Sequence, residues 1–164
     1  MPEDHPAKPA LRPIPAEDCI ALRHSVLRPN QDRDACRYPL DNAPGSHHIG
    51  YFNNAGQIIG IGSIFHELPL EPGNWAENWD GWRIRGMAVD PAQQGQGIGV
   101  AVLKALIAYA EAQPVPEGQS GLVWCNGRTS VEPFYLGQGF ERVGEVFDLP
   151  PIGPHVVLQR RLTS

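Results

Sequence analysis

Residues 89–99 read Val-Asp-Pro-Ala-Gln-Gln-Gly-Gln-Gly-Ile-Gly and run straight into Val-Ala-Val-Leu-Lys-Ala-Leu-Ile-Ala-Tyr-Ala at 100–110. The apolar stretch before them, Arg83–Val89, reads as a strand that ends in a Val-Asp-Pro turn. After Gly97, the residues Leu103, Leu106, Ile107 and Ala110 recur at helical spacing up to about Ala112. Glycines at 95, 97 and 99 let a ligand approach the backbone closely. The first N–H groups of a helix have no partner within it and face an anion, with the helix dipole behind them. The stretch is therefore strand, anion-binding turn, helix. It is not a Walker loop, because Gly99 is followed by Val100 and no Gly-Lys-Ser/Thr closes it. It is not a dinucleotide fingerprint either, since Val100 stands where the third glycine belongs and the turn lies too far from the first.

Working outward, Ala10–Ile14 reads as a short strand, and Pro15-Ala-Glu-Asp opens a helix whose apolar face is Cys19, Leu22 and Val26. Asp32–Tyr38 adds a helical turn. His48–Asn53 and Gln57–His66 flank Asn-Asn-Ala-Gly, which is hairpin chemistry. Residues 69–82, with Trp75, Trp79 and Trp82, read as a long loop. Gly121–Cys125 is a continuous apolar run, as a strand covered on both faces should be. A short helix at Ser130–Leu136 precedes strands near Phe140–Phe147 and His155–Leu162. The strand–helix–strand unit in the middle implies a parallel pair with a right-handed crossover, and the hairpins imply antiparallel pairing elsewhere. The expected fold is one α/β domain over residues 10–164, with a mixed, mostly antiparallel sheet of about seven strands. The proline-rich segment 1–9 is expected to be a flexible tail.

Composition narrows the function. The chain has 164 residues, 41% hydrophobic and 19% charged, with a formal net charge of −5. It has neither a Lys/Arg stripe nor a basic balance, so nucleic acid is not an expected partner. No apolar run approaches the roughly 20 residues of a membrane span, and the first residues lack the apolar region of a signal peptide. Cys19, Cys36 and Cys125 are too far apart for a zinc cluster or a disulfide framework, which suits a reducing, cytoplasmic setting. His47 and His48 face opposite ways on a strand and make a poor ligand pair. No metal is expected.

The spacing Gln94-x-x-Gly97-x-Gly99 between strand and helix resembles the acetyl-CoA loop of the GCN5-related N-acetyltransferases. After the next strand comes Asn126-Gly-Arg-Thr-Ser-Val-Glu-Pro-Phe134-Tyr135-Leu-Gly-Gln-Gly139-Phe140, which resembles the family's second signature. The two motifs stand in the right order, and the element order resembles the family fold over roughly residues 10–162. The resemblance implies that the strands Arg83–Val89 and Gly121–Cys125 splay into a V that holds the pantetheine arm of acetyl-CoA. Met87, Ala88 and Val89 would line it. Backbone N–H groups among Gln94, Gly95, Gln96, Gly97, Gly99 and Val100 would hold the pyrophosphate, and Asn126 would add a polar contact.

The same resemblance gives Tyr135 the place beside the thioester sulfur, where a phenol of ordinary pKa about 10 can protonate a departing thiolate. The other reading is a core aromatic beside Phe134. In the histone-modifying branch a strand glutamate is the base, but that position here is Arg83, which cannot serve. His66, Glu67 and His155 are the alternatives, beside a water relay, with Glu67 preferred as base or as an anchor for the ammonium group. Arg83 and Arg85 share one side of their strand and suit either a carboxylate or phosphate on the substrate or the acids of the 67–80 loop. Arg23, His24, Arg28 and Tyr38 border the acceptor pocket by position. The implied activity is direct transfer of acetyl from acetyl-CoA to a primary amine, probed against two alternatives: a non-catalytic acyl-CoA sensor, and transfer of a longer acyl group. A homodimer is a possible assembly.

Overall fold

The computed structural model describes residues 10–68 and 78–163. The tail expected at 1–9 and residues 69–77 of the expected loop, with Trp75, lie outside the described residues. The strands are β1 (Leu11–Pro13), β2 (His47–Phe52), β3 (Ile58–His66), β4 (Trp79–Val89), β5 (Ser120–Arg128), β6 (Glu141–Leu149) and β7 (Gly153–Arg161). They form one 7-stranded sheet in the order β1-β2-β3-β4-β5-β7-β6. Only β4 and β5 pair in parallel; every other neighbour is antiparallel.

The crossover between the parallel strands is α2 (Ile98–Glu111), and its buried residues Val102, Leu103, Leu106, Ile107 and Ala110 cover one face of the sheet. On that face they meet Ile64, Trp82, Ile84, Val123, Cys125, Val156 and Leu158. A methyl group on Gly62 would stand 2.5 Å from Met87 Sδ and 2.8 Å from Val102, so this position has no room for a side chain under the helix. The opposite face carries α1 (Ile20–Leu22), which widens into a π-helical turn over Arg23–Leu27. The turn expected at 32–38 is a 3-10 helix at Arg33–Cys36. No helix among the described residues is long and apolar enough to cross a membrane.

Two boundaries depart from the sequence reading. Trp79–Trp82 belong to β4, not to a loop: Trp79 pairs with Ser120 and Trp82 with Val123. Asp80 and Gly81 look like turn residues, but the partner strand buries both. The strand after α2 also runs on to Arg128 through Asn126 and Gly127, because β7 pairs with it along that length.

The β4–β5 pairing ends at Arg83 and Trp124. Beyond it, Gly86 has φ +69°, and the β3–β4 register shifts between Ile61 and Ser63. The ladder pairs Ser63 with Arg85 and Ile61 with Ala88, so Gly86 and Met87 together oppose Gly62. This is a β-bulge, which bends its strand and increases its twist. The bend carries Ile84–Val89 away from Cys125–Arg128 and leaves a V-shaped gap in mid-sheet.

Candidate active site

Backbone alternation decides which groups face the gap. Asp90 N–H donates to the Ile59 carbonyl at 2.9 Å, so the groups of Asp90 and Ala88 point toward β3. Those of Val89 and Met87 point the other way, into the gap. Ala88 must be corrected: its side chain is buried with Ile14, Cys19 and Ile61, and its backbone pairs with β3. It does not line the gap, because its side chain and backbone are both turned away.

The glycine-rich turn follows directly. Gly95 and Gly97 have φ of +83° and +79°, and a methyl group on either would meet nothing within 4 Å. Gly97 caps α2 in the left-handed conformation, with no side chain satisfying the helix start. Among the described residues, no acceptor partners the backbone N–H groups from Gln94 through Val100. The Gln94 side chain folds back to the Val89 carbonyl at 3.3 Å. Gly99 lies beside Phe134 and Val89, so the turn borders both the gap and the short helix α3 (Glu132–Leu136).

Tyr135, on α3, is 6% exposed and sits in the apolar cluster that includes Cys125, Met87 and Val89. Phe140 and Phe134 pack edge-on against its ring. Burial, and then the neighbouring Cys125 thiol, push the phenol well above the ordinary tyrosine value of 10.0. Burial likewise pushes the Cys125 thiol up to about 12, which makes it inert at neutral pH. Core packing and a held proton are thus both present in Tyr135.

The opposite face gathers a different set. Arg83 donates to Glu67 at 3.1 Å and lies over Trp124. The Glu67 carbonyl accepts from Trp124 Nε1 at 2.7 Å. Tyr38 stands over the bulge: a methyl group on Gly86 would lie 3.1 Å from its ring and 3.2 Å from Arg23 Nε. The guanidinium carbons of Arg23 and Arg85 lie 3.9 and 4.0 Å from the Tyr38 ring centroid, and that of Arg28 lies 5.6 Å away. Arg28 also donates to the Ala35 carbonyl. Asn126 and His155 lie on this same face, on β5 and β7, with His155 opposite Arg128. Among the described residues the Asn126 amide has no hydrogen-bond partner. His155 Nδ1–H donates to the Gly153 carbonyl at 2.7 Å, which leaves Nε2 as the acceptor in the neutral ring.

Two expectations fail here. His66 projects to the α2 face, stacked on Trp82 and bonded to Asp80, and so lies on the wrong side of the sheet for the acceptor pocket. Arg23 is fully buried and structural, not pocket-lining. It donates to both oxygens of Asp41, to Ser63 Oγ and to the Cys36 carbonyl. His48 completes this network: Nε2–H donates to the Asp41 carbonyl, and Nδ1 accepts from Ser63. Burial lowers the pKa of His48, in keeping with a neutral ring. His24 is tied to the Gln31 carbonyl.

Residues 13–140 match the profile of the acetyltransferase (GNAT) family, well over half the chain. The chain belongs to that family. It is 35% identical over 155 residues to YitI of Bacillus subtilis (strain 168), named as an uncharacterized N-acetyltransferase, covering 94% of this chain and 97% of YitI. A histone acetyltransferase HPA2 and related acetyltransferase from Corynebacterium glutamicum superposes with TM-score 0.71 at 13% identity, over 95% of this chain and 97% of that one. An aminoglycoside 6'-N-acetyltransferase complexed with coenzyme A superposes with TM-score 0.67 at 11% identity, over 94% and 97%. The protein is thus an acetyltransferase enzyme, and its GNAT fold carries an acyl-CoA site.

Sequence reasoning missed Gly86 as the source of the gap, and missed Asp41, Ser63 and His48 as the clamp behind the acceptor face. A glycine inside a strand pattern was the available signal for the first. For Ser63, the signal was a polar residue inside the apolar run Ile58–Phe65.

The turn geometry gives a direct test. Gly97 sits at φ +79°, where a β-branched side chain is strained, so in Gly97→Val the turn must shift its N–H groups and affinity for CoA should fall 10-fold or more, about 1.4 kcal/mol. The circular dichroism spectrum should keep its native form. Calorimetric titration at unchanged affinity would remove the phosphate site from this turn.

Proposed function

We propose that this GNAT protein transfers acetyl from acetyl-CoA directly to a primary amine of a small molecule, in a ternary complex. One observation carries the reading: a run of N–H groups at Gln94–Val100, unpartnered among the described residues, adjoins a gap into which the Met87 and Val89 backbones point. That combination suits a pyrophosphate followed by an amide-bearing arm. The residues present fit the ligand, with glycines at the anion site and an apolar wall of Met87, Val89 and Phe134 along the arm.

Acetyl-CoA supplies the activated thioester. In our reading, the Met87 N–H donates to the thioester carbonyl oxygen as negative charge builds there. Tyr135 holds its proton at neutral pH and gives it to the sulfur as the carbon–sulfur bond breaks. Its burial against the cluster that contains Met87 and Val89 supports that role. The inert thiol of Cys125 argues for direct transfer over an acyl-cysteine.

For the base, the geometry favours His155 over Glu67. Glu67 stands level with Gly81, to whose carbonyl its N–H donates. At about 3.3 Å per residue, Met87 lies roughly 20 Å further along β4. The Glu67 carboxylate reaches only as far as Arg83 and holds it. His155 is level with Arg128, on the stretch of β5 that borders the open gap, and its tautomer leaves Nε2 free to accept a proton through water. The reading extends to a homodimer in the cytoplasm. β6 is an edge strand that exposes Val146 and Leu149, and all three cysteines are free and buried.

Turnover of acetyl-CoA with an amine panel tests the function; tight binding with no turnover would favour an acyl-CoA sensor. Tyr135→Phe keeps the ring and loses the proton, so kcat should drop by roughly 10²–10⁴ with CoA affinity preserved. Because the phenol pKa is raised, the wild type should show no loss of kcat/KM from tyrosine ionisation below pH 10.0. Wild-type turnover in Tyr135→Phe would reduce it to a packing residue. For the base, His155→Gln should lower kcat and flatten the acid limb of the pH–rate profile, while Glu67→Gln should leave that limb in place. The reverse pattern would restore Glu67 as the base.

A further inference from the structure

The arginines around the Tyr38 and Trp124 rings are not equivalent. Arg23 is neutralised by Asp41 in a bidentate pair, and Arg83 by Glu67. Arg28 spends one N–H pair on the Ala35 carbonyl. Arg85 is different: among the described residues its guanidinium has neither a hydrogen-bond acceptor nor a carboxylate within reach. It is half-buried, laid against the Tyr38 ring at 4.0 Å, on the strand segment between the last β4–β5 pair and the bulge. Arg28, Arg83 and Arg85 thus converge, with the buried Arg23 behind them, on a patch whose acids among the described residues, Asp41 and Glu67, are already engaged.

A guanidinium cannot shed its charge, so a half-buried one without a partner is held at a cost. The surroundings confirm the imbalance. Burial first, and then the charges of Arg83 and Arg28, lower the Arg85 pKa against the opposing influences of Tyr38 and Glu67. Contact with the Tyr38 ring restrains the guanidinium, and a restrained fork suits a carboxylate or phosphate. Arg85 lies one residue from the bulge and, through Met87, close to the place where the amine must attack.

Resting on the acetyl-transfer reading above, we infer that the amine acceptor carries an oxyanion, a carboxylate or a phosphate, and that Arg85 is the residue that binds it. The aminoglycoside-type acceptor, which is polycationic, is then disfavoured: the same patch that attracts an anion repels it.

The test uses full-length protein and matched amines: amino acids and β-alanine against their amides, and O-phosphoethanolamine against ethanolamine. Acidic members should exceed their neutral partners in kcat/KM by about 10-fold or more, as expected for a charge-assisted contact. The carboxylate and phosphate arms show which oxyanion fits. In Arg85→Gln the ratio should collapse toward one through KM, with CoA affinity retained, and Arg85→Lys should restore part of it. Equal use of acids and amides by the wild type, or a preference that survives Arg85→Gln, would overturn the inference. If no amine is turned over, titration of the same pairs into CoA-loaded protein reads the preference directly. Acid-selective binding would then uphold the anion site while the transfer reading fails, and equal or absent binding of both would overturn it.

Discussion

Beyond Arg83, β4 cannot continue alongside β5, because the backbone at Gly86 turns to positive φ and puts two residues opposite one on β3. The consequence reaches both faces of the sheet. On the α2 side it exposes the Met87 and Val89 backbones next to the start of the helix, where the turn's N–H groups also stand unpartnered. On the other side it brings Arg85 and Tyr38 over the bulge. A residue with a side chain at Gly86 would need the left-handed conformation and would press on Tyr38 and Arg23 together.

The bulge is held from behind by a buried ion pair. Arg23 reaches the sheet only because Asp41, Ser63 and the Cys36 carbonyl accept its protons, and His48 closes the network as a neutral ring. Removing one partner of such a pair costs about 3–5 kcal/mol, since the other charge stays buried. The stability is not the whole of its use. By fixing Arg23 against Tyr38, the network fixes the ring on which Arg85 rests.

How much of this the sequence discloses follows from how local each feature is. Gln94–Gly99 and Tyr135–Phe140 are contiguous, and their backbone demands are written in glycines and in the spacing of the aromatic residues; the family and the glycine turn at the helix start were legible there. The parallel pair followed from the crossover and the antiparallel pairing from the hairpins, while the place of β7 between β5 and β6 was not legible. The start of β4 was not legible, because Trp79-Asp80-Gly81-Trp82 carries turn residues that only pairing with β5 makes into strand. Arg23 looked like a pocket residue because its partners lie 18 and 40 residues away, and no local pattern announces them. Glu67 is one of the loop acids expected to pair with Arg83 or Arg85, and it pairs with Arg83, but its distance from the open stretch of β4 depends on where the bulge opens the sheet. His66 was put on the wrong face although alternation from Ile64, under α2, assigns it.

The central claim is that the gap opened at Gly86 is the seat of the thioester, and a crystal structure with CoA tests it most directly. The account predicts a pyrophosphate on the N–H groups of Gln94–Val100, an arm bonded to the backbones of Met87 and Val89, and the sulfur beside Tyr135. A CoA molecule bound elsewhere, with β4 and β5 closed over an empty gap, would contradict it.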